Sequence, residues 1–145
     1  MNTIKKFPIS FQSTGYFSSL MSDYLGESPA LRPFYKYLPS GDSFAQIMAD
    51  KKEESIDRKL LANQLLAQYA GLNLQNDAVH QNIEKLRSNN TFTVTTGHQL
   101  GLFTGPLYFV YKIISTINLA ESLSKQHPDA AFVPVFWMAS EDHDF

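Results

Sequence analysis

Gly97, His98 and Gln99 directly follow a β-branched run, and Glu141, Asp142, His143 and Asp144 directly follow an apolar one. These two groups are the residues whose types and spacing could do chemistry. The first opens a series of glycines, Gly97, Gly101 and Gly105. Glycine lets backbone N–H groups approach a ligand closely, and a helix N-terminus favours an anion. His98 and Gln99 add side-chain donors that could reach phosphate or carboxylate oxygens. The spacing is neither the dinucleotide pattern G-x-G-x-x-G nor the phosphate loop G-x-x-x-x-G-K-[ST]. An anion site and a tight turn with no ligand therefore both satisfy it. The second group sets three carboxylates around one histidine, which would repel a bare phosphate and suits a metal ion, an amine or sugar hydroxyls. If extension persists, alternation sends Asp142 and Asp144 to one side and Glu141 and His143 to the other. A solvated acidic turn would give the same string.

The elements that must position these groups read as strand, helix and strand. Residues 92–96 are a strand, and the glycines after it read as a turn. A helix is predicted from near Pro106, since proline suits the first helical turn, to about Lys125. Leu107, Val110, Tyr111, Ile114 and Ile117 mark one face, while Phe109, Ile113 and Leu119 carry apolar surface around the cylinder. Such a helix is normally buried from several sides. Lys112 on it either snorkels or takes a site role. A turn at 127–129 leads to residues 132–139, apolar on both faces as in a central parallel strand. Open α/β sheets bring polar groups together at the carboxyl ends of their strands, so the two groups are expected to meet at one sheet edge.

Upstream, residues 1–50 are rich in aromatics and turn residues, which predicts short helices and extended pieces. Their rings either pack onto a neighbouring surface or line a groove, and packing is the preferred reading because aromatics dominate burial. Residues 50–71 predict one helix with Ile56, Leu60, Leu65, Tyr69 and Leu72 as its stripe, Glu53 and Glu54 in its first turn and Gly71 as its stop. Residues 77–87 predict a second, with Asp77 as N-cap and Val79, Ile83 and Leu86 inward. His80 there reads as a surface histidine.

At 145 residues with 43% hydrophobic content the chain can bury one core. Its net charge of −2 marks no nucleic-acid or anionic-membrane surface. There is no cysteine, so these residues carry no disulfide, thiolate zinc site or cysteine nucleophile. The first residues do not pattern as a signal peptide, and no stretch is long and apolar enough to span a bilayer. A soluble, cytoplasmic protein is the expectation, with no nucleic-acid or membrane partner. Two parallel strands are not a stable sheet, and the chain stops right after the acidic cluster, so an N-terminal piece of a longer α/β protein is expected.

Residues 96–108 (TGHQLGLFTGPLY), 111–114 (YKII) and 133–145 (VPVFWMASEDHDF) closely resemble the bacillithiol biosynthesis cysteine-adding enzyme family. The resemblance is most specific from Thr96 onward and looser in the preceding helices. It implies a Rossmann-like catalytic core, architecturally akin to class I aminoacyl-tRNA synthetases, followed by a C-terminal coiled coil. On this reading residues 1–90 are a helical lead-in, 91–145 are one β-α-β unit of the parallel sheet, and the coiled coil is absent. The implied reaction joins L-cysteine to glucosaminyl-malate as the last step of bacillithiol synthesis. The implied cofactor is ATP, no metal-ligating residues are assigned, and the full-length protein would dimerise through the coiled coil. Gly97, His98, Gln99, Gly101, Thr104 and Gly105 would hold the cofactor, Glu141, Asp142 and Asp144 the substrate amine. His98, Asp142 and His143 would be catalytic, His143 as base. These 145 residues alone would be inactive. Two alternatives stand beside this: a metal-dependent hydrolase using His98, Asp142, His143 and Asp144, and a non-catalytic folding or interaction piece.

Overall fold

The computed structural model describes residues 6–38, 40–72, 77–99, 101, 103 and 105–140. The chain divides into two units, Met1–Ile47 and Met48–Phe145.

In the first unit, serines set the helix starts. Ser10 Oγ accepts from the Ser13 amide and caps α1 (Phe11–Thr14), and Ser18 Oγ accepts from the Met21 amide and caps α2 (Ser19–Leu25). Gly15, at φ 67°, stops α1 in the left-handed conformation that glycine adopts without strain. Short 3-10 turns follow at Pro29–Phe34 and Gly41–Ser43. The aromatics do pack, but against each other: Phe11 meets Phe17 edge-on at 4.7 Å, and Tyr24 meets Tyr35 at 5.3 Å. None of the described residues of this unit is fully buried, and Tyr16 and Phe34 are almost wholly exposed. Helices this short present too little continuous surface to enclose a ring.

The second unit starts within α3 (Phe44–Lys52). The single helix expected over 50–71 is broken. α3 stops at Lys52, and α4 (Arg58–Tyr69) restarts behind Asp57, whose carboxylate accepts from the Leu60 amide at 2.9 Å. Asp57 as an N-cap overrides the helical periodicity of Ile56 and of the acidic pair before it, because a cap fixes non-helical backbone at its own position. The buried residue of α4 is Ala62, while Leu60 and Leu61 stay exposed. α5 (Ala78–Lys85) turns Ile83 inward with Leu86 just after it, as the periodicity predicts. Asp77 sits at its N-cap position without a side-chain capping bond. Arg58 donates to the Leu86 carbonyl, and Arg87 bridges Glu84 and Asn63, so α4 and α5 are tied by side chains.

The sheet of the described residues has two parallel strands, β1 (Thr91–Gln99) and β2 (Ala131–Ala139), paired from Thr91↔Ala131 to Gln99↔Ala139. Between them runs α6 (Leu107–Gln126), entered from extended Pro106 and closed by the His127 amide on the Leu123 carbonyl. At the strand starts, the Ala131 amide donates to the Asn90 carbonyl at 3.0 Å, and the Asn90 side chain donates to the Asp129 carbonyl. The Thr91 hydroxyl, buried, donates to the Lys85 carbonyl at 2.6 Å. The core lies where α6 meets the sheet: Ala120, Leu123, Phe132 and Val133 are buried, with Thr116 beside them. The opposite side of α6 is apolar yet exposed, at Leu107, Tyr111, Ile114 and Ile117. No helix of the described residues is long and apolar enough to cross a membrane.

Among the described residues, Leu123 is the largest side chain to be fully buried. Leu123→Ala is expected to cost about 2–5 kcal/mol, read as a lower urea midpoint with an unchanged slope. An unmoved midpoint would mean that α6 is not held through this residue.

Candidate active site

The first strand does not end where its β-branched run ends. Gly97, His98 and Gln99 continue it, opposite Trp137, Met138 and Ala139. Gly97 is thus a strand glycine, not the opening of a turn, and its reason lies across the sheet. A Cβ built there would stand 2.9 Å from the Trp137 carbonyl oxygen and 3.1 Å from the Trp137 Cβ. Only glycine allows the two backbones to approach so closely. The turn comes later. Gly101 passes so near Gly105 that its Cβ would lie 3.2 Å from the Gly105 Cα, and Gly105 has φ 66°. Phe103, at φ 50°, holds a left-handed conformation that a bulky residue seldom adopts.

His98 is held from both ends. Its Nδ1 is 2.9 Å from the Gln99 carbonyl oxygen, and its Nε2 is 2.5 Å from the Tyr108 hydroxyl. Phe109 meets the imidazole edge-on at 5.7 Å and in turn packs on Phe136 at 5.0 Å. Lys112 reaches back from α6 to donate to the Gly97 carbonyl at 3.2 Å, with its ammonium 5.6 Å from the Tyr108 ring centroid. The i,i+4 spacing of Tyr108 and Lys112 puts both on the helix face that looks at the end of β1. Beside them lies a cavity of about 440 Å³ lined by Thr96, Tyr108, Tyr111, Lys112, Ser115 and Thr116 among others. Pro106, at the N-cap position of α6, makes no side-chain capping bond, and the Phe109 amide turns back to the Pro106 carbonyl.

The described structure therefore brings Gly97, His98, Gln99, Gly101 and Gly105 to one edge, and adds Tyr108, Phe109 and Lys112 to them. Thr104, Glu141, Asp142, His143 and Asp144 lie outside the described residues. The register sets Ala139 opposite Gln99, so β1 and β2 end at the same edge. Of the four side chains in the hydrolase alternative, His98 is the one described, and both of its ring nitrogens are engaged within the domain. Tyr108 closes the stretch 96–108 that carries the family resemblance, but its residue type and spacing gave it no role of its own. Its spacing to Lys112 was visible, but the contact with His98 spans the glycine loop.

Chemically, this edge offers a positive ammonium, a histidine–tyrosine pair and backbone amides at a helix start. A strand, a crossover helix and a parallel strand with polar groups at the strand ends define a Rossmann-like α/β domain. The chain belongs to the BshC family: residues 4–145 match the family model described as bacillithiol biosynthesis BshC, N-terminal Rossmann-like domain. It is similar to the "Putative cysteine ligase BshC" of Flavobacterium johnsoniae, at 50% identity over 139 residues, covering 94% of this chain and 26% of the relative. The protein of the same name in Flavobacterium psychrophilum is 47% identical over 140 residues, with the same coverage of both chains. That of Bacillus thuringiensis is 36% identical over 125 residues, 86% of this chain and 23% of the relative. The chain thus spans about a quarter of the length of the curated relatives it matches.

Gly97→Ala is expected to destabilise the domain by about 1–3 kcal/mol, since the new methyl must push the two strand ends apart. Trp137 is the chain's one tryptophan, so its emission should shift in the folded variant. Equal stability and unchanged emission would show that the strands do not approach this closely in solution.

Proposed function

We propose that this domain, within its full-length protein, belongs to a cytoplasmic ligase that joins L-cysteine to glucosaminyl-malate in the last step of bacillithiol biosynthesis. The observation that carries the reading is the family match over nearly the whole chain, with relatives at up to 50% identity that bear the name "Putative cysteine ligase BshC". The described edge is compatible with it. Amide formation from a carboxylate requires activation, which ATP supplies when bound. The residues present suit a polyphosphate: Pro106 at the N-cap position of α6 makes no side-chain capping bond, Lys112 brings a positive charge, and glycines line the approach.

In this reading Gly97, His98, Gln99, Gly101, Thr104 and Gly105 form the cofactor side of the site. Glu141, Asp142 and Asp144 form the substrate side, where carboxylates favour the ammonium of the incoming amine. His98, Asp142 and His143 carry the proton transfers, worth about 100-fold or more in such reactions. A coiled coil beyond this domain would pair two copies, and residues 1–90 would serve as helical lead-in to the β-α-β unit at 91–145. The 145 residues alone, lacking further walls of the site, would not turn over.

Full-length protein carrying this domain should form bacillithiol from glucosaminyl-malate, L-cysteine and ATP, followed by mass spectrometry of the thiol product. His98→Ala and Asp142→Ala should each lower the rate by about 100-fold or more. Unchanged turnover in both variants would remove the site, and no product from the unsubstituted protein would remove the reaction.

A further inference from the structure

We infer that Tyr108 is a further catalytic residue of this site, the group that takes the proton from the attacking amine and relays it to His98. The inference rests on the ligase reading above and adds to it a residue and a proton path.

The polarity of the pair follows from its partners. A carbonyl oxygen has no hydrogen to give, so the 2.9 Å contact between His98 Nδ1 and the Gln99 carbonyl requires the hydrogen on Nδ1. In the neutral ring the other nitrogen is then an acceptor. Tyr108 stands 2.5 Å from it, so the phenol donates its hydrogen to Nε2. The oxygen of Tyr108 therefore turns its hydrogen inward and keeps its lone pairs for a ligand. The side chain is about half exposed, at 52%, and lines the cavity beside β1 together with Thr96 and Lys112. An amine N–H presented to that oxygen from the substrate side meets an acceptor already connected to a base.

Two neighbours keep the relay in place. Phe109 braces the imidazole edge-on and is itself braced by Phe136. The Lys112 ammonium, anchored on the Gly97 carbonyl, lies by the Tyr108 ring and counters the negative charge that develops on the oxygen during transfer.

The step balances as follows. The amine lone pair forms the C–N bond to an activated carboxyl, the co-reactant class that ATP supplies in the ligase reading. One N–H proton passes to the Tyr108 oxygen as the phenolic hydrogen passes to His98 Nε2. The activating group leaves the acyl carbon with its bonding electron pair. Tyr108 ends as a neutral phenol and His98 as an imidazolium, its Nδ1–H still on the Gln99 carbonyl. Loss of the Nε2 proton to water resets the pair.

Four measurements test this. Long-range ¹⁵N spectra of the imidazoles in this 145-residue chain should place the His98 hydrogen on Nδ1 in the neutral ring; a hydrogen on Nε2 overturns the relay. In full-length protein, Tyr108→Phe should lower kcat about 100-fold with the KM for ATP within about twofold, and the loss should shrink as rising pH lets solvent take the proton. Tyr108→Phe combined with His98→Gln should cost little more than either alone, because the two act as a unit. Circular dichroism and Trp137 emission of Tyr108→Phe should match the parent. Wild-type kcat in Tyr108→Phe, a loss that does not change with pH, or additive losses in the double variant overturn the relay alone. Absence of amide product from the parent overturns the ligase reading and the relay with it.

Discussion

Parallel pairing of β1 with β2 is the constraint from which the rest of the second unit follows. Two strands running in the same direction cannot be joined by a hairpin, so the chain must travel back the full length of the sheet before the second begins. Nine residues of strand span about 30 Å, and the twenty residues of α6 span about 30 Å as well. The helix therefore returns the chain to its starting level, and Ala131 pairs with Thr91. Because the helix must start where β1 ends, its first turns lie over the strand's last residues. That is why Tyr108 and Lys112 meet His98 and Gly97. The site is a by-product of the crossover, placed by the same geometry that closes the sheet.

How much of this the sequence disclosed depends on where each residue's partner lies. α5, α6 and β2 were legible because their apolar residues recur at the period of a single element. The likeness from Thr96 onward identified the family, which the comparison over residues 4–145 bears out. The break between α3 and α4 was not legible, since Ile56, Glu53 and Glu54 fit a continuous helix and Asp57 competes with them only by capping. Gly97 was read as the opening of a turn for a similar reason. A strand glycine and a turn glycine look alike in one chain, and what separates them is the Trp137 backbone forty residues away. His98 was visible as a polar group at a strand end; the phenol and the carbonyl that fix its hydrogen were not, because neither contact has a sequence period.

The exposed side of α6 has a physical reading too. Parallel strands are stable when covered on both faces, and helices that cross between them are buried accordingly. Here Ala120 and Leu123 meet the sheet while Leu107, Tyr111, Ile114 and Ile117 face outward, and Trp137 and Met138 stay more than half exposed on β2. Apolar surface of this extent is costly to hydrate. The relatives are about four times as long as this chain, so a full-length family member has further residues with which to cover such faces.

Rigidity at the strand end also bears on chemistry. A proton relay works only if donor and acceptor hold hydrogen-bond distance through the reaction, and a tyrosine on the first turn of a helix would ordinarily sample several rotamers. Three contacts confine this one: the imidazole at its hydroxyl, the ammonium at its ring, and the helix that carries both Tyr108 and Lys112. The imidazole is confined in turn by Phe109 and, through it, by Phe136 on the other strand. Lysine is well matched to its place, since a slender stem lets a point charge reach the Gly97 carbonyl while lying by the phenol. The position that carries charge, Lys112, and the one that carries packing, Phe109, are thus about one turn apart on one helix, so the orientation of the chemistry is set by the same contacts that hold α6 on the sheet.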